Sequence, residues 1–78
     1  MVELLAYLAR ELVDDPAAVR VDEEERDGAL VLVLHVAAAD VGKVIGRQGR
    51  IARALRTLVR ASAVREGRRV LVEIADPE

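Results

Sequence analysis

The segment Asp40-Val41-Gly42-Lys43-Val44-Ile45-Gly46-Arg47-Gln48-Gly49-Arg50-Ile51 decides how this chain reads. It joins a short apolar stretch to a long basic one across two glycines three residues apart. Asp40 can cap a short helix that runs to Val44 or Ile45. Gly46 stops that helix, because glycine takes the positive φ of a sharp break that a side chain resists. A second helix starts near Gly49 and runs to about Arg65, where Glu66-Gly67 ends it.

Working outward, Leu30 to Val36 is an uninterrupted β-favouring run. Leu30, Leu32, Leu34 and Val36 share one parity and form its core side, with Val31, Val33 and His35 on the other. Val19 and Val21 alternate with Arg20 and Asp22 as a short preceding strand, close enough to form a hairpin. Glu23 to Gly28 reads as the polar connection between the two. Leu4, Leu5, Leu8, Ala9 and Leu12 fall at helical spacing and predict an amphipathic helix over residues 2–13, ended by Asp14-Asp15-Pro16. Beyond the long helix, Val70, Val72 and Ile74 mark a last strand. The order α-β-β-α-α-β predicts an α+β fold, a three-stranded sheet with three helices on one face, in a single domain over residues 1–78.

Composition narrows the function classes. Apolar residues are 53% and charged residues 33% of the chain, as in a folded protein rather than a disordered one. Without cysteine there is neither a disulfide framework nor a thiolate metal site, and no cofactor is expected. Glu3 stands where a signal peptide carries base, and no apolar run approaches a membrane span, so a cytoplasmic address is expected. The net charge of −2 conceals a polarity. Residues 1–40 hold three basic and ten acidic side chains, and residues 41–78 hold nine basic and four acidic. Between Lys43 and Arg69 the only acid is Glu66. Such a chain can present one cationic face to phosphates while staying slightly acidic.

On the long helix, Ile51, Ala54, Leu55 and Leu58 share an arc of about 100°, which predicts its buried face. Arg50, Arg53, Arg56 and Arg60 share the opposite arc, a ridge that favours an anionic partner. The helix begins with unpaired N–H groups and a positive dipole end, and Gly49 lets a sugar–phosphate backbone approach closely. Arg47 adds a charged fork and Gln48 a neutral amide. A plain helix–turn–helix joint is the alternative reading of the two glycines.

Val44-Ile45-Gly46-Arg47-Gln48-Gly49 followed by Ile51 resembles the V-I-G-x-x-G-x-x-I signature of KH domains. With Asp40 to Lys43 before it, Leu55-Arg56-Thr57-Leu58 after it and the same element order, the whole chain resembles the single-KH bacterial family KhpA. The resemblance implies a type II KH fold and a global role in binding or chaperoning single-stranded RNA. It implies that Gly46, Arg47, Gln48 and Gly49 hold the RNA backbone, four nucleotides being the footprint of such a loop. Val44, Ile45 and Ile51 would form one apolar wall, and Leu34, His35 and Val36 the other. Lys43, Arg50 and Arg53 complete the candidate RNA-binding set. Self-association, or pairing with a larger KH protein of the KhpB type, is also implied.

Other readings compete at several positions. Tyr7 is the one aromatic residue, which argues against recognition by ring-stacking sheets or barrels. His35 reads first as a sheet-face residue and second as an RNA contact. No nucleophile stands beside it, so no catalytic residue is assigned. The acids Asp22 to Glu25 read as a solvated turn rather than a metal site. Val31, Val33 and Leu71 predict an apolar outer sheet face, which with the acidic first half supports a second function: an assembly module with incidental RNA contact. Arginine outnumbers lysine eleven to one, which genome composition suffices to explain.

Overall fold

A computed structural model describes residues 1–76. Helix α1 spans Val2–Leu12, strands β1 and β2 span Arg20–Arg26 and Ala29–His35, helix α2 spans Val41–Ile45, helix α3 spans Arg50–Arg65, and β3 spans Val70–Ile74. Short 3-10 turns at Pro16–Ala18, Ala38–Asp40 and Arg47–Gly49 link them. The fold class and element order are those the sequence predicts.

The sheet order is β1-β2-β3, with β1 antiparallel and β3 parallel to β2. β1 is longer than expected. It continues through Glu23, Glu24 and Glu25, so these acids lie on an edge strand and not in a turn. The turn is Asp27-Gly28 alone, at φ of 51° and 80°. Both residues in the left-handed region make the tight connection that suits strand twist. The Asp-Gly pair carried that signal, but the run of acids before it masked it.

One face of the sheet carries Leu30, Leu32, Leu34, Val70 and Val72 into a common core with Leu5 and Ala9 of α1, Val44 of α2, and Leu55, Val59 and Ala63 of α3. Two helix faces differ from expectation. On α1, Ala6 is buried and Leu4 exposed. On α3, the buried stripe is Ala52, Leu55, Val59 and Ala63, whereas Ala54 and Leu58 face solvent. Leu55, Val59 and Ala63 join the core cluster with the sheet, and Leu58 stands outside it.

The outer sheet face is only partly the open apolar surface expected: Leu71 is 36% exposed and Val33 half-buried, but Val31 is 0% exposed. The Arg26 guanidinium reaches across β2 to Glu73 at 2.9 and 3.0 Å and also holds Glu24 at 2.7 Å. These exposed ion pairs contribute little by themselves, but they cross the strand that bears Val31. Leu32, fully buried at the centre of the sheet, is the test of the core. Leu32→Ala should cost about 2–5 kcal/mol in urea unfolding, whereas Leu58→Ala, on the exposed face of α3, should cost less than about 1 kcal/mol.

Candidate nucleic-acid interface

The Gly46–Gly49 turn sits at the joint of α2 and α3. Gly46 closes α2 by donating its N–H to Gly42 O at 2.9 Å, and its φ is 76°. A Cβ added there would collide with Ile51 Cγ1 and lie 2.9 Å from the Ile51 backbone nitrogen. Glycine at 46 therefore satisfies both backbone angle and space. Gly49 also has positive φ, 73°, but a Cβ there would meet nothing. Gln48 adopts φ 58° and ψ 25° although it is not glycine. A left-handed non-glycine residue costs about 1–2 kcal/mol, so the loop holds strain of the kind found at functional sites.

Arg47, Gln48 and Arg50 are exposed, and Arg50 donates to Gln48 Oε1 at 3.3 Å. α3 starts with no side-chain cap and no acid in its first turn. No side chain competes with an anion there, although Gly49 N–H and Arg50 N–H already donate to Gly46 O and Arg47 O. Arg53 is exposed and borders a shallow depression with Arg50, Ala54, Thr57 and Leu58. Arg56, the fourth member of the expected ridge, is half-buried and donates Nε–H to Val72 O at 3.2 Å. Its guanidinium is committed to the β3 edge.

The remaining candidates separate. Ile45 is 39% exposed and Ile51 half-buried, both beside the loop. Val44 is 0% exposed, so its side chain anchors α2 in the core rather than lining a surface. Leu34 is likewise fully buried, and Val36 packs against the core. His35 lies on the sheet face turned away from the helices, with Nε2 2.9 Å from Asp22 Oδ2. The structure does not bring it together with the loop.

Asp40 does not cap α2 as expected. Its carboxylate is 2% exposed and accepts the backbone N–H groups of Asp14 and Asp15 at 3.2 and 3.1 Å. Lys43 Nζ donates to Asp40 Oδ1 at 3.3 Å and lies 3.1 Å from Asp14 Oδ2. This knot ties the end of α1 to the helix that carries the loop, and it occupies the Lys43 ammonium. Sequence reasoning missed it because its partners are 25 and 26 residues away. Burial pushes the Asp40 carboxyl up, but the two N–H groups and Lys43 outweigh it and hold it below its ordinary value.

A carboxyl depressed in the folded state contributes stability above its unfolded pKa, and that contribution is lost as pH falls through the folded value. Asp40→Asn should therefore be less stable than wild type at neutral pH and lose less stability on acidification, read from urea midpoints between neutrality and strong acid. At the loop, Gly49→Ala should cost about 1–2 kcal/mol for backbone angle alone. Gly46→Ala should cost more, because Ile51 must also move.

Among the described residues, no cluster of His, Cys, Asp or Glu could hold a metal ion, and no helix is long and apolar enough to cross a membrane. The family model for the KhpA/KhpB KH domain matches residues 2–74. A protein of Caldanaerobacter subterraneus is 53% identical over 74 residues, covering 95% of this chain and 99% of that one. A Treponema pallidum protein is 55% identical, covering 95% and 92%, and a Bacillus subtilis protein 45% identical, covering 95% and 91%. All three are named RNA-binding protein KhpA. The crystal structure of Aquifex aeolicus Era with GDP and aluminium fluoride superposes at a TM-score of 0.64 and 20% identity. It covers 94% of this chain and 28% of the Era chain, and supports the fold alone. By the family model and these relatives, the chain belongs to the KhpA/KhpB family of KH-domain proteins.

Proposed function

We propose that this chain is a non-catalytic protein that binds single-stranded RNA, acting globally on RNA or as an RNA chaperone. Residues 1–78 work as one KH domain in the cytoplasm. The observation that carries this reading is the exposed, left-handed turn at Arg47-Gln48-Gly49, set against an α3 N-terminus free of side-chain caps and acids. The positive end of α3 and a guanidinium suit phosphate oxygens, and the absence of a Cβ at Gly49 leaves room for a sugar–phosphate backbone. The relatives' shared name supports the same ligand.

In this reading Gly46, Arg47, Gln48, Gly49 and Arg50 hold the backbone, Ile45 and Ile51 offer aliphatic contact, and Arg53 adds charge. Val44 sets the position of α2 from beneath, and Lys43 ties it to Asp14 and Asp40 at the surface. A homodimer, or a complex with a larger KH protein of the KhpB type, belongs to the same proposal.

Replacing Arg47 and Gln48 together by aspartate places two negative charges on an exposed turn and leaves the core untouched. The double variant should keep its circular dichroism spectrum and lose RNA affinity at least tenfold in fluorescence anisotropy. Undiminished binding by the folded variant would remove the loop from the site. If protein partners persist after nuclease treatment and no RNA crosslinks in cells, the assembly reading replaces this one.

A further inference from the structure

The arginines of β1 and those of α3 and its flanks are treated differently. In β1, Arg20 is paired with Asp22, and Arg26 with Glu24 and Glu73. From Arg47 to Arg69, no arginine has a carboxylate partner among the described residues, although Glu66 lies in that stretch. These unneutralised arginines are also arranged in line. Arg53 and Arg60 are seven residues apart, so they fall within about 20° of each other on α3 and about 10 Å along it. Arg60 then borders a groove between the end of α3 and the start of β3, where Arg68 and Arg69 stand beside Val64 and Leu71.

The groove is a fixed feature. Arg68 N–H donates to Ala63 O at 3.0 Å and Gly67 N–H to Val64 O at 3.1 Å. This pair of bonds is the Schellman closure of a helix. Arg69 O accepts the N–H of Leu30 at 3.0 Å, so the backbone enters the sheet at once. The two arginines are therefore carried on a short, doubly anchored connection. Beside them, Val64 is 77% and Leu71 36% exposed.

We propose that this groove is a second backbone-binding site for the same RNA strand, with Arg60, Arg68 and Arg69 contacting phosphates beyond the nucleotides held at the Gly46–Gly49 turn. The proposal rests on the RNA-binding reading and extends it. α3 has 16 residues and is about 24 Å long, so a strand spanning both sites is longer than the four nucleotides a KH loop clamps. Continuity selects RNA over an acidic protein segment: the cationic line starts at the loop and runs without an intervening acid to Arg60. Val64 and Leu71 supply aliphatic surface beside the phosphates.

The test compares unstructured RNA oligonucleotides of about four and about twelve residues at several salt concentrations, with wild type and the exposed double variant Arg68→Ala/Arg69→Ala. Wild type should bind the longer strand at least tenfold more tightly per binding register, with the same number of protein chains per strand as on the short one. The variant should lose that gain and keep its affinity for the short strand within twofold. Its salt slope on the longer strand should fall by about 1.4, for two lost single-strand phosphate contacts. Equal affinities per register, more protein chains bound per strand on the longer RNA than on the short one, or an unaltered variant would overturn the second site. So would an unaltered RNA profile with lost binding to polyglutamate, which would assign the groove to an acidic protein. Failure of wild type to bind either strand would overturn the RNA-binding reading as well, and is thereby distinguishable.

Discussion

Parallel pairing of β2 with β3 is the constraint on which the rest of this fold depends. Antiparallel neighbours such as β1 and β2 need only Asp27-Gly28 between them, but parallel neighbours require a crossover that returns to the starting end. Residues 36–69 make that return, as two helices with the Gly46–Gly49 turn between them. Both helices lie on the face that presents Leu30, Leu32 and Leu34, while the other carries the ion pairs of Arg26 with Glu24 and Glu73. The joint is therefore held by packing on either side: Val44 locks α2 into the core, and Leu55 and Val59 lock α3. Gly46 against Ile51 fixes the bend itself. A site on such a joint is exposed and still positioned by a rigid scaffold.

The sequence showed the order of elements and the loop clearly, because hydrophobic period and glycine spacing are local signals. It showed less where two local patterns competed. On α3, Ala54 and Leu58 form an apolar stripe as regular as Ala52, Leu55, Val59 and Ala63, and only contact with the sheet selects between them. Judged by bulk, Leu58 should be buried. Judged by packing, the core side is that of Leu55, Val59 and Ala63. β1 was shortened for a related reason: an edge strand with one solvated side can carry successive acids, which period-two reasoning takes for a turn. Asp40 was beyond reach altogether, since a capping rule sees only adjacent residues and its partners come from the end of α1.

Those outcomes change what the candidate site contains. The resemblance placed Val44, Leu34 and His35 on groove walls, yet the first two are fully buried and the third stands beside Asp22 on the far side of the sheet. Lys43, a natural choice for phosphate, is bound to Asp40 and Asp14. Around the turn Ile45, Arg47, Gln48, Arg50 and Arg53 are exposed and Ile51 is half-buried, and Lys43 remains exposed despite its ion pairs. Val44 and Leu34 thus support the core beneath the loop, Lys43 shares its ammonium with two carboxylates, and His35 stands apart from the loop.

Net charge is a poor guide to this molecule because its charges are spent unequally. Several acids of the first half are engaged in keeping structure: Asp40 holds backbone amides, Asp22 holds Arg20, and Glu24 shares Arg26 with Glu73. The arginines of α3 and its flanks have no such carboxylate duty among the described residues, so their field is directed outward. A strand held at the loop would meet charge and backbone amides there, groups that read phosphate and not base. Base preference is then left to Ile45 and Ile51, which are aliphatic and few. An interface made this way would gain affinity from length of contact more readily than from recognition of a short sequence.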